Sequence, residues 1–302
     1  IEAATCLPMA MDKRLEALCA IIQECPAELW QERNRAMLEL TEIIEGHIRA
    51  TPMEVLELFP TSVFRLLREP IKSMISDLRS QQVRDTCAFL GMLSKVCRDH
   101  VKLFLRDVFP ALLDALKVPN KVMSAYVDDC IRTMIANANF KSCLPMIIAE
   151  VKESKAKYVR ERCIDYVHLV LETWELGERE ADMIFDAVRT ALEDASVRGR
   201  ENARFAFLAL RAVFPRHAEV LFADLPPAVQ SRIVKIEEDM RSEDGGSIDE
   251  KKRKARRMSH VDDAVASIQA LMRGALTRRL SSVPASDLPY HGDAENTSGL
   301  NK

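Results

Sequence analysis

Lysine and arginine residues recur in the short polar turns between helical segments of this sequence, and a row of cations can bind an acidic surface. In "ESKAKYVRERCIDYVHLVLETW", residues 153–174, three cations lie at the turn and in the first turn of a helix. The helix dipole already makes that end positive, so these cations do not stabilise the helix. Water exposure is the better explanation of any single cation in a turn, but recurrence in five turns favours a ridge that binds an acidic partner. The cations are Arg33 and Arg35, Arg79 and Arg84, Lys117 and Lys121, Lys155, Lys157 and Arg160, and Arg198, Arg200 and Arg204.

Amphipathic helices must position these turns. After the turn before Lys157, the apolar residues Val159, Cys163, Val170 and Trp174 follow the helical period and should face a core. Equivalent positions recur about every 40 residues, which is the period of HEAT-type helical hairpins, and no run alternates as a strand would. The chain is therefore predicted to be all-α, a HEAT-repeat α-solenoid whose turns within hairpins lie along one edge. The repeating segments are 29–48, 77–95, 115–135, 150–174 and 191–214.

Composition excludes several other classes of protein. The chain has 302 residues, 48% hydrophobic residues and a formal net charge of −3, as expected of a soluble globular protein. No apolar run is long enough to span a membrane and the start lacks a signal peptide, so we expect a cytosolic protein. Because the first residue is not Met, we expect the chain to be a fragment or to begin at Met9 or Met11. The eight cysteines form no CxxC pair, which favours reduced core thiols. Without phosphate-binding or catalytic spacings, we expect neither an enzyme nor a bound cofactor or metal.

Five repeats with particular motifs resemble the TOG domain of the CLIP-associated proteins (CLASPs). The motifs are a Trp in the first turn, "DLRS" in the second, "KVM" in the third, "YVRERC" with "LETW" in the fourth and "DASVRGRENAR" in the fifth. The resemblance covers residues 11–240. It implies a flat paddle that binds acidic tubulin through the loops within its repeats. CLASP-type proteins suppress microtubule catastrophe and promote rescue, so the resemblance also implies a protein located on the microtubule cytoskeleton of the cytoplasm.

The resemblance also implies which residues contact tubulin. Trp30 would pack on a tubulin surface from the first turn, although a Trp tucked beneath its own repeat is the alternative. The sequence departs from the family pattern at Gln31, where many relatives carry a basic residue, and at Asp128 and Asp129 in the third repeat. The implied contact residues are Trp30, Arg33, Arg79, Arg84, Lys121, Lys155, Lys157, Arg160, Arg198, Arg200 and Arg204.

The character of the sequence changes near both ends. Residues 1–10 are expected to be a flexible N-terminus. Residues 241–260 contain six cations between Lys251 and Arg257 and indicate a basic linker, which would attract a polyanion such as a microtubule or serve as a spacer or nuclear-localisation patch.

Residues 261–282 contain "SIQALMRGALTRRL", which fits the IQ motif IQxxxRGxxxR. As an amphipathic basic helix, this segment would bind calmodulin or a related light chain, or it would fold back on the repeats. Residues 283–302 should be disordered. The motif residues are Ile268, Gln269, Met272, Arg273, Gly274 and Arg278.

Two functions remain open from the sequence. The first is a non-catalytic protein that binds tubulin and microtubules, with neither nucleic-acid binding nor membrane insertion expected. The second is a generic HEAT scaffold that binds another acidic protein or a nucleic acid.

Overall fold

A computed structural model describes residues 3–50 and 61–244 of the chain. The chain divides into two units, residues 1–254 and 255–302. The second unit, with the predicted IQ helix and tail, lies outside the described residues, as does most of the predicted linker.

The described residues of the first unit form six helical pairs, and every regular element among them is helical, which confirms the all-α prediction there. Short 3-10 helices at Ala27–Leu29, Arg98–Val101 and Lys141–Cys143 lie between some of the α-helices. The pairs are α1 (Ala3–Glu24) with α2 (Trp30–Ala50), α3 (Thr61–Ile75) with α4 (Ser80–Cys97), α5 (Lys102–Leu116) with α6 (Lys121–Asn137), α7 (Leu144–Glu153) with α8 (Lys157–Thr173), α9 (Glu178–Leu192) with α10 (Val197–Val213), and α11 (Pro215–Asp224) with α12 (Pro227–Asp244).

The helices form two layers with the core between them. First helices pack side by side, as α1 on α3 and α7 on α9, and second helices form a row from α2 through α4, α6, α8 and α10 to α12. The two helices of each of the first five pairs also pack against each other across the layers, burying aromatic side chains such as Phe89, Phe109, Tyr166 and Phe207. Because the two helices of a pair are antiparallel, all turns within pairs lie on one edge, and connections between pairs lie on the opposite edge.

Local sequence explains several of the helix starts that border the turns. The Asn120 side chain caps α6 by accepting from the backbone N–H of Val122 at 3.0 Å, and the Ser196 hydroxyl caps α10 by accepting from Gly199 N at 3.2 Å. Pro215 begins α11, where its fixed φ suits the first helical position.

The apolar stripe predicted for α8 lies in the core. Val159, Cys163 and Val170 are fully buried, and Trp174 is 6% exposed. The Trp174 indole Nε1 donates to the carbonyl oxygen of Ile135 at 2.8 Å, which joins the third and fourth pairs. Trp174 is therefore a core residue, as predicted from its spacing.

Two boundaries differ from the sequence expectation. Helix α1 begins at Ala3, so residues 3–10 are helical, and α12 continues to Asp244, four residues into the predicted linker. Five of the eight residues from 3 to 10 are Ala, Leu or Met, which are good helix formers, and this composition favours the earlier start of α1.

The sixth pair, α11 with α12, was not predicted as a repeat. Its signal was weak because α11 has only ten residues and few inward positions, of which Ala218 and Leu221 are buried. The guanidinium of Arg211 holds this pair in place. It lies 4.9 Å from the ring centroid of Phe207 and 5.0 Å from that of Phe222, and it donates to Glu237 at 2.7 Å.

The cysteines of the described core are free and buried. Burial raises the pKa of the Cys97 thiol to about 11, as it does for Cys19 together with the charge of Glu16. Across the residues the structure describes, no helix has the length and apolarity needed to cross a membrane. The same residues contain no group of His, Cys, Asp and Glu suited to a metal ion.

Candidate protein-binding edge

We use the name turn edge for the five turns within the first five pairs and the opening residues of the helices that follow them. The turns are residues 25–29, 76–79, 117–120, 154–156 and 193–196. All the cations and the Trp predicted to contact a partner lie in these turns or within the first two turns of α2, α4, α6, α8 or α10. The fold therefore brings the predicted residues to one edge, and the local contacts distinguish those that face solvent from those that hold the edge together.

Trp30 opens α2 and is half-buried. The guanidinium of Arg79 lies 5.3 Å from the centroid of the indole ring, within the range of a cation–π contact. Asp77 fixes this arginine, because its carboxylate accepts from the Arg79 backbone N–H at 2.8 Å and from Nη1 at 3.2 and 3.0 Å. The second turn thus positions the Trp of the first turn.

Exposed aliphatic side chains, which were not predicted from the sequence, lie among the cations. Leu78 is 90% exposed, at the tip of the second turn, and Leu29 is 48% exposed beside Trp30. Val122 and Val197 are also exposed in the first turns of α6 and α10. An apolar residue in a short turn where polar residues are usual was the signal that could have revealed Leu78.

Five of the predicted contact residues are exposed cations: Arg79, which Asp77 holds, and Lys121, Lys155, Lys157 and Arg198. Lys157 lies 3.7 Å from Glu161 Oε1, at the outer limit of an ion pair. No ion pair or hydrogen bond engages the side chains of Lys121, Lys155 or Arg198 within the part of the chain that the structure describes. These three side chains can reach an acidic partner without breaking an internal contact.

The other predicted cations are engaged inside the domain, except Arg204, whose buried Nε has no hydrogen-bond partner among the described residues. Arg33 is 9% exposed and donates to the carbonyl oxygen of Cys25, which closes the first turn. Arg84 donates to Asp85 at 3.0 Å, and the same carboxylate accepts from Asn34 of α2 at 2.8 Å. These contacts hold the first and second pairs together at the turn edge.

The fourth and fifth turns are locked together by Arg160. Its guanidinium donates to the Asp194 carboxylate at 2.6 and 3.2 Å and to the Ser154 carbonyl at 2.8 Å. Burial opposes ionisation of Asp194, but the hydrogen bonds from Arg160 and from the Ser196 backbone lower the pKa of Asp194. Arg200 completes the turn by donating to the carbonyl oxygens of Asp194 and Ala195 at 2.5 and 3.1 Å.

Asp128, where the sequence departs from the family pattern, is engaged in contacts within the domain. Asp128 is 6% exposed and accepts from the hydroxyl of Tyr166 at 2.7 Å. It also lies 3.2 Å from both Arg132 Nε and Arg162 Nη1. The carboxylate therefore joins α6 to α8 instead of opposing the cations of the turn edge. Asp129 beside it is exposed, and desolvation together with the charge of Asp128 raises its pKa.

The predicted calmodulin-binding residues lie outside the described residues. They are Ile268, Gln269, Met272, Arg273, Gly274 and Arg278.

Comparisons with known proteins agree with this architecture. A CLIP-associated protein of Arabidopsis thaliana is 26% identical over 224 residues, which are 73% of this chain and 15% of that protein. CLIP-associating protein 1 of Xenopus tropicalis is 27% identical over 206 residues, which are 68% of this chain and 14% of that protein. The match thus spans only a small part of each relative.

Two solved structures share the fold. A chain from the structural work on microtubule plus-end tracking by XMAP215, CLIP-170 and EB1 has a TM-score of 0.56 and 16% identity, over 72% of this chain and 92% of that one. A chain from microtubule polymerases with TOG domain arrays has a TM-score of 0.54 and 16% identity, over 73% of this chain and 46% of that one. The family described as CLASP N terminal matches residues 11–234, most of the sequence, and the chain belongs to that family.

Proposed function

We propose that the helical domain binds tubulin, free or within microtubules, through the turn edge. The observation that carries this proposal is that one edge presents the exposed Leu78, the half-buried Trp30 and exposed cations that have no partner among the described residues. The family supports it, since the relatives are CLIP-associated proteins and one neighbouring fold comes from a study of tubulin recruitment. On this proposal the chain is a non-catalytic regulator of microtubule dynamics, located on the microtubules of the cytoplasm.

The contact residues divide the turn edge into two parts. Leu29, Trp30 and Leu78, at the first two turns, form an apolar part that loses water when it is covered. Lys121, Lys155, Lys157 and Arg198, at the third to fifth turns, form a cationic part that attracts the acidic surface of tubulin. Arg33, Arg84, Arg160 and Arg200 act by positioning these turns, because their guanidinium groups are engaged within the domain.

Charge reversal at the fourth turn tests this function. Lys155→Glu with Lys157→Glu should abolish co-sedimentation with microtubules, because like charges facing each other across an interface cost several kcal/mol. Helicity and melting temperature should stay unchanged, since exposed cations contribute little to folding. Lys102→Glu with Arg179→Glu is the matched control, because both are exposed at helix starts on the opposite edge.

Measuring the affinity for RNA and DNA at the same salt concentration distinguishes a surface specific for tubulin from one that binds any polyanion. Tubulin binding that survives the charge reversal at moderate salt would rule out the turn edge as the interface. Equal affinity for nucleic acid would favour the generic HEAT scaffold over the tubulin-binding domain.

We also propose that residues 262–282 bind calmodulin or a related light chain. This proposal rests on the sequence motif alone. Calorimetric titration of the full chain with calmodulin, in chelator and in calcium, should show binding that Ile268→Asp removes by placing an unpaired charge in an apolar groove. An acidic light chain there would cover the charge of Arg273 and Arg278, and calcium would then modulate microtubule attachment. No heat in either condition would leave the segment as an ordinary amphipathic helix.

A further inference from the structure

Exposed carboxylates recur at the ends of the first helices, where the chain enters the turn edge. Glu24 is the last residue of α1, Glu153 is the last residue of α7, and Glu193 follows the end of α9. Asp114, in the last turn of α5, is also exposed and lies 3.0 Å from Lys117 Nζ. Among residues 3–50 and 61–244, no ion pair or hydrogen bond engages the side chains of Glu24, Glu153 or Glu193, all of which are exposed. We call these four carboxylates the acidic row.

Helix stability does not account for the acidic row. A helix has negative potential at its C-terminal end, so a carboxylate there destabilises the helix slightly. Exposure to water explains any one of the four side chains, but they recur at four of the five turns. At the remaining turn, the second, Asp77 is engaged by Arg79. The turn edge therefore carries two rows of opposite charge, with carboxylates where the first helices end and cations where the second helices begin.

A hollow of about 390 Å³ lies beside the acidic row, between the third and fourth turns. Glu150 and Glu153 of α7 line it, together with Lys117, Lys155 and three small side chains that leave it open. Lys117 is shared by two carboxylates, because its Nζ atom lies 2.7 Å from Glu150 and 3.0 Å from Asp114. A basic side chain that entered the hollow would meet the carboxylate of Glu153, which has no counterion in the described part of the chain.

We propose that the acidic row receives lysine or arginine side chains of the protein partner and thereby sets the orientation of that partner on the turn edge. The proposal rests on tubulin binding through the turn edge and adds basic side chains of tubulin to the contact. Cations alone would attract an acidic surface in several orientations, whereas two rows of opposite sign match only a partner whose charges follow the same order. A partner in the wrong orientation would place like charges opposite each other, which weakens binding.

Glu24→Gln with Glu153→Gln tests the acidic row by the sign of its effect. Removing two negative charges should tighten binding if the turn edge attracts acidic tubulin only through its positive charge. The acidic row instead predicts about tenfold weaker binding with faster dissociation, because ion pairs at the interface are lost. The melting temperature should stay equal or rise slightly, since a carboxylate leaves the C-terminal end of two helices. Side chains that only supported the fold would show a lower melting temperature instead.

Glu42→Gln with Glu175→Gln is the matched control. Both side chains are exposed and lie away from the turn edge, and no ion pair or hydrogen bond engages either one within the described ranges. This variant changes the net charge by the same amount, so it reports the effect of overall charge on affinity for tubulin. We expect its affinity to equal or slightly exceed that of the wild type.

A second measurement replaces tubulin with a fluorescent octalysine peptide at low salt and follows its anisotropy. Because the peptide is purely cationic, its binding does not depend on the cations of the turn edge. The wild type and the control variant should bind the peptide more tightly than Glu24→Gln with Glu153→Gln does.

The outcomes separate the acidic row from the proposed function. Weaker tubulin binding in the acidic-row variant but not in the control supports basic side chains of tubulin as the ligands. Octalysine binding that depends on the acidic row, with no tubulin binding by the wild type, would keep the acidic row as a receiver of cations and reject tubulin as their source. Tubulin binding by the acidic-row variant that equals or exceeds that of the wild type overturns the proposal. Equal octalysine binding by all three proteins, with no tubulin binding by the wild type, also overturns it.

Discussion

At the scale of single residues, the most informative side chain is Leu78, because a leucine that is 90% exposed contributes nothing to its own fold. Covering it in a complex would contribute about 1.5–3 kcal/mol. We expect Leu78→Ser to weaken tubulin binding about tenfold or more on that basis, with no change in melting temperature. Leu103→Ser is the control, since Leu103 is 54% exposed on the opposite edge. Anisotropy of labelled tubulin measures both variants, and an equal affinity for the two would remove Leu78 from the interface.

Arg79 differs from the free cations because it acts on Trp30. Arg79→Lys keeps the charge but loses the paired contact with Asp77 and the planar group over the indole. We expect weaker tubulin binding and a change in Trp30 fluorescence in the free protein. Lys121→Arg, which exchanges the same two residue types at an unpartnered position, should alter neither property. If Arg79→Lys binds tubulin as tightly as the wild type does, the second turn contributes only its positive charge to binding.

At the scale of helices and turns, the pair formed by Arg160 and Asp194 joins two repeats, and it makes a pH-dependent contribution to stability. The folded-state pKa of Asp194 is lowered, so its stabilisation is present above the unfolded-state pKa of about 3.9 and disappears as the pH falls through the folded-state value. Asp194→Asn should destabilise the domain at pH 7 by about 1.5–3 kcal/mol, the range for hydrogen bonds to charged groups. Urea unfolding at pH 7 and below pH 4 should show a smaller difference from wild type in acid. A difference that is constant across this range would contradict the assignment.

The buried carboxylate of Asp128 joins the second helices of the third and fourth pairs. Asp128→Ala leaves two arginines and the Tyr166 hydroxyl without their shared partner, which should cost about 3–5 kcal/mol. Asp129→Ala is the adjacent control, since its side chain is exposed and it should change the free energy of unfolding by no more than about 0.5 kcal/mol. Chemical denaturation measures both, and similar values for the two variants would mean that Asp128 is not the brace that its contacts indicate.

At the scale of the whole domain, periodicity predicted the layers well, and local motifs predicted the family. The helical spacing of residues such as Val159 and Cys163 identified a buried face, and the motifs around the turns indicated the CLASP family that the comparison confirmed. The ion pairs of the cations could not be predicted from the sequence, because they join residues far apart in the chain, such as Arg160 and Asp194, which are separated by 34 residues. The exposure of Leu78 also depends on how neighbouring turns stack, and no local pattern encodes it.

The charge of the domain is distributed unevenly, and this distribution predicts how binding should respond to salt. The chain carries a formal net charge of −3, yet Lys121, Lys155 and Arg198 lie exposed on the turn edge and form no ion pair with any residue that the structure describes. Salt screens exposed charges over about 8 Å at physiological ionic strength, whereas the burial of apolar surface is not screened. Affinity for tubulin should therefore fall as salt rises from 50 to 250 mM, by about tenfold, with no matching loss of melting temperature. The slope should be unchanged in Leu78→Ser and shallower in Lys155→Ala with Lys157→Ala. If all three proteins show the same slope, the exposed cations of the turn edge do not contact the acidic partner.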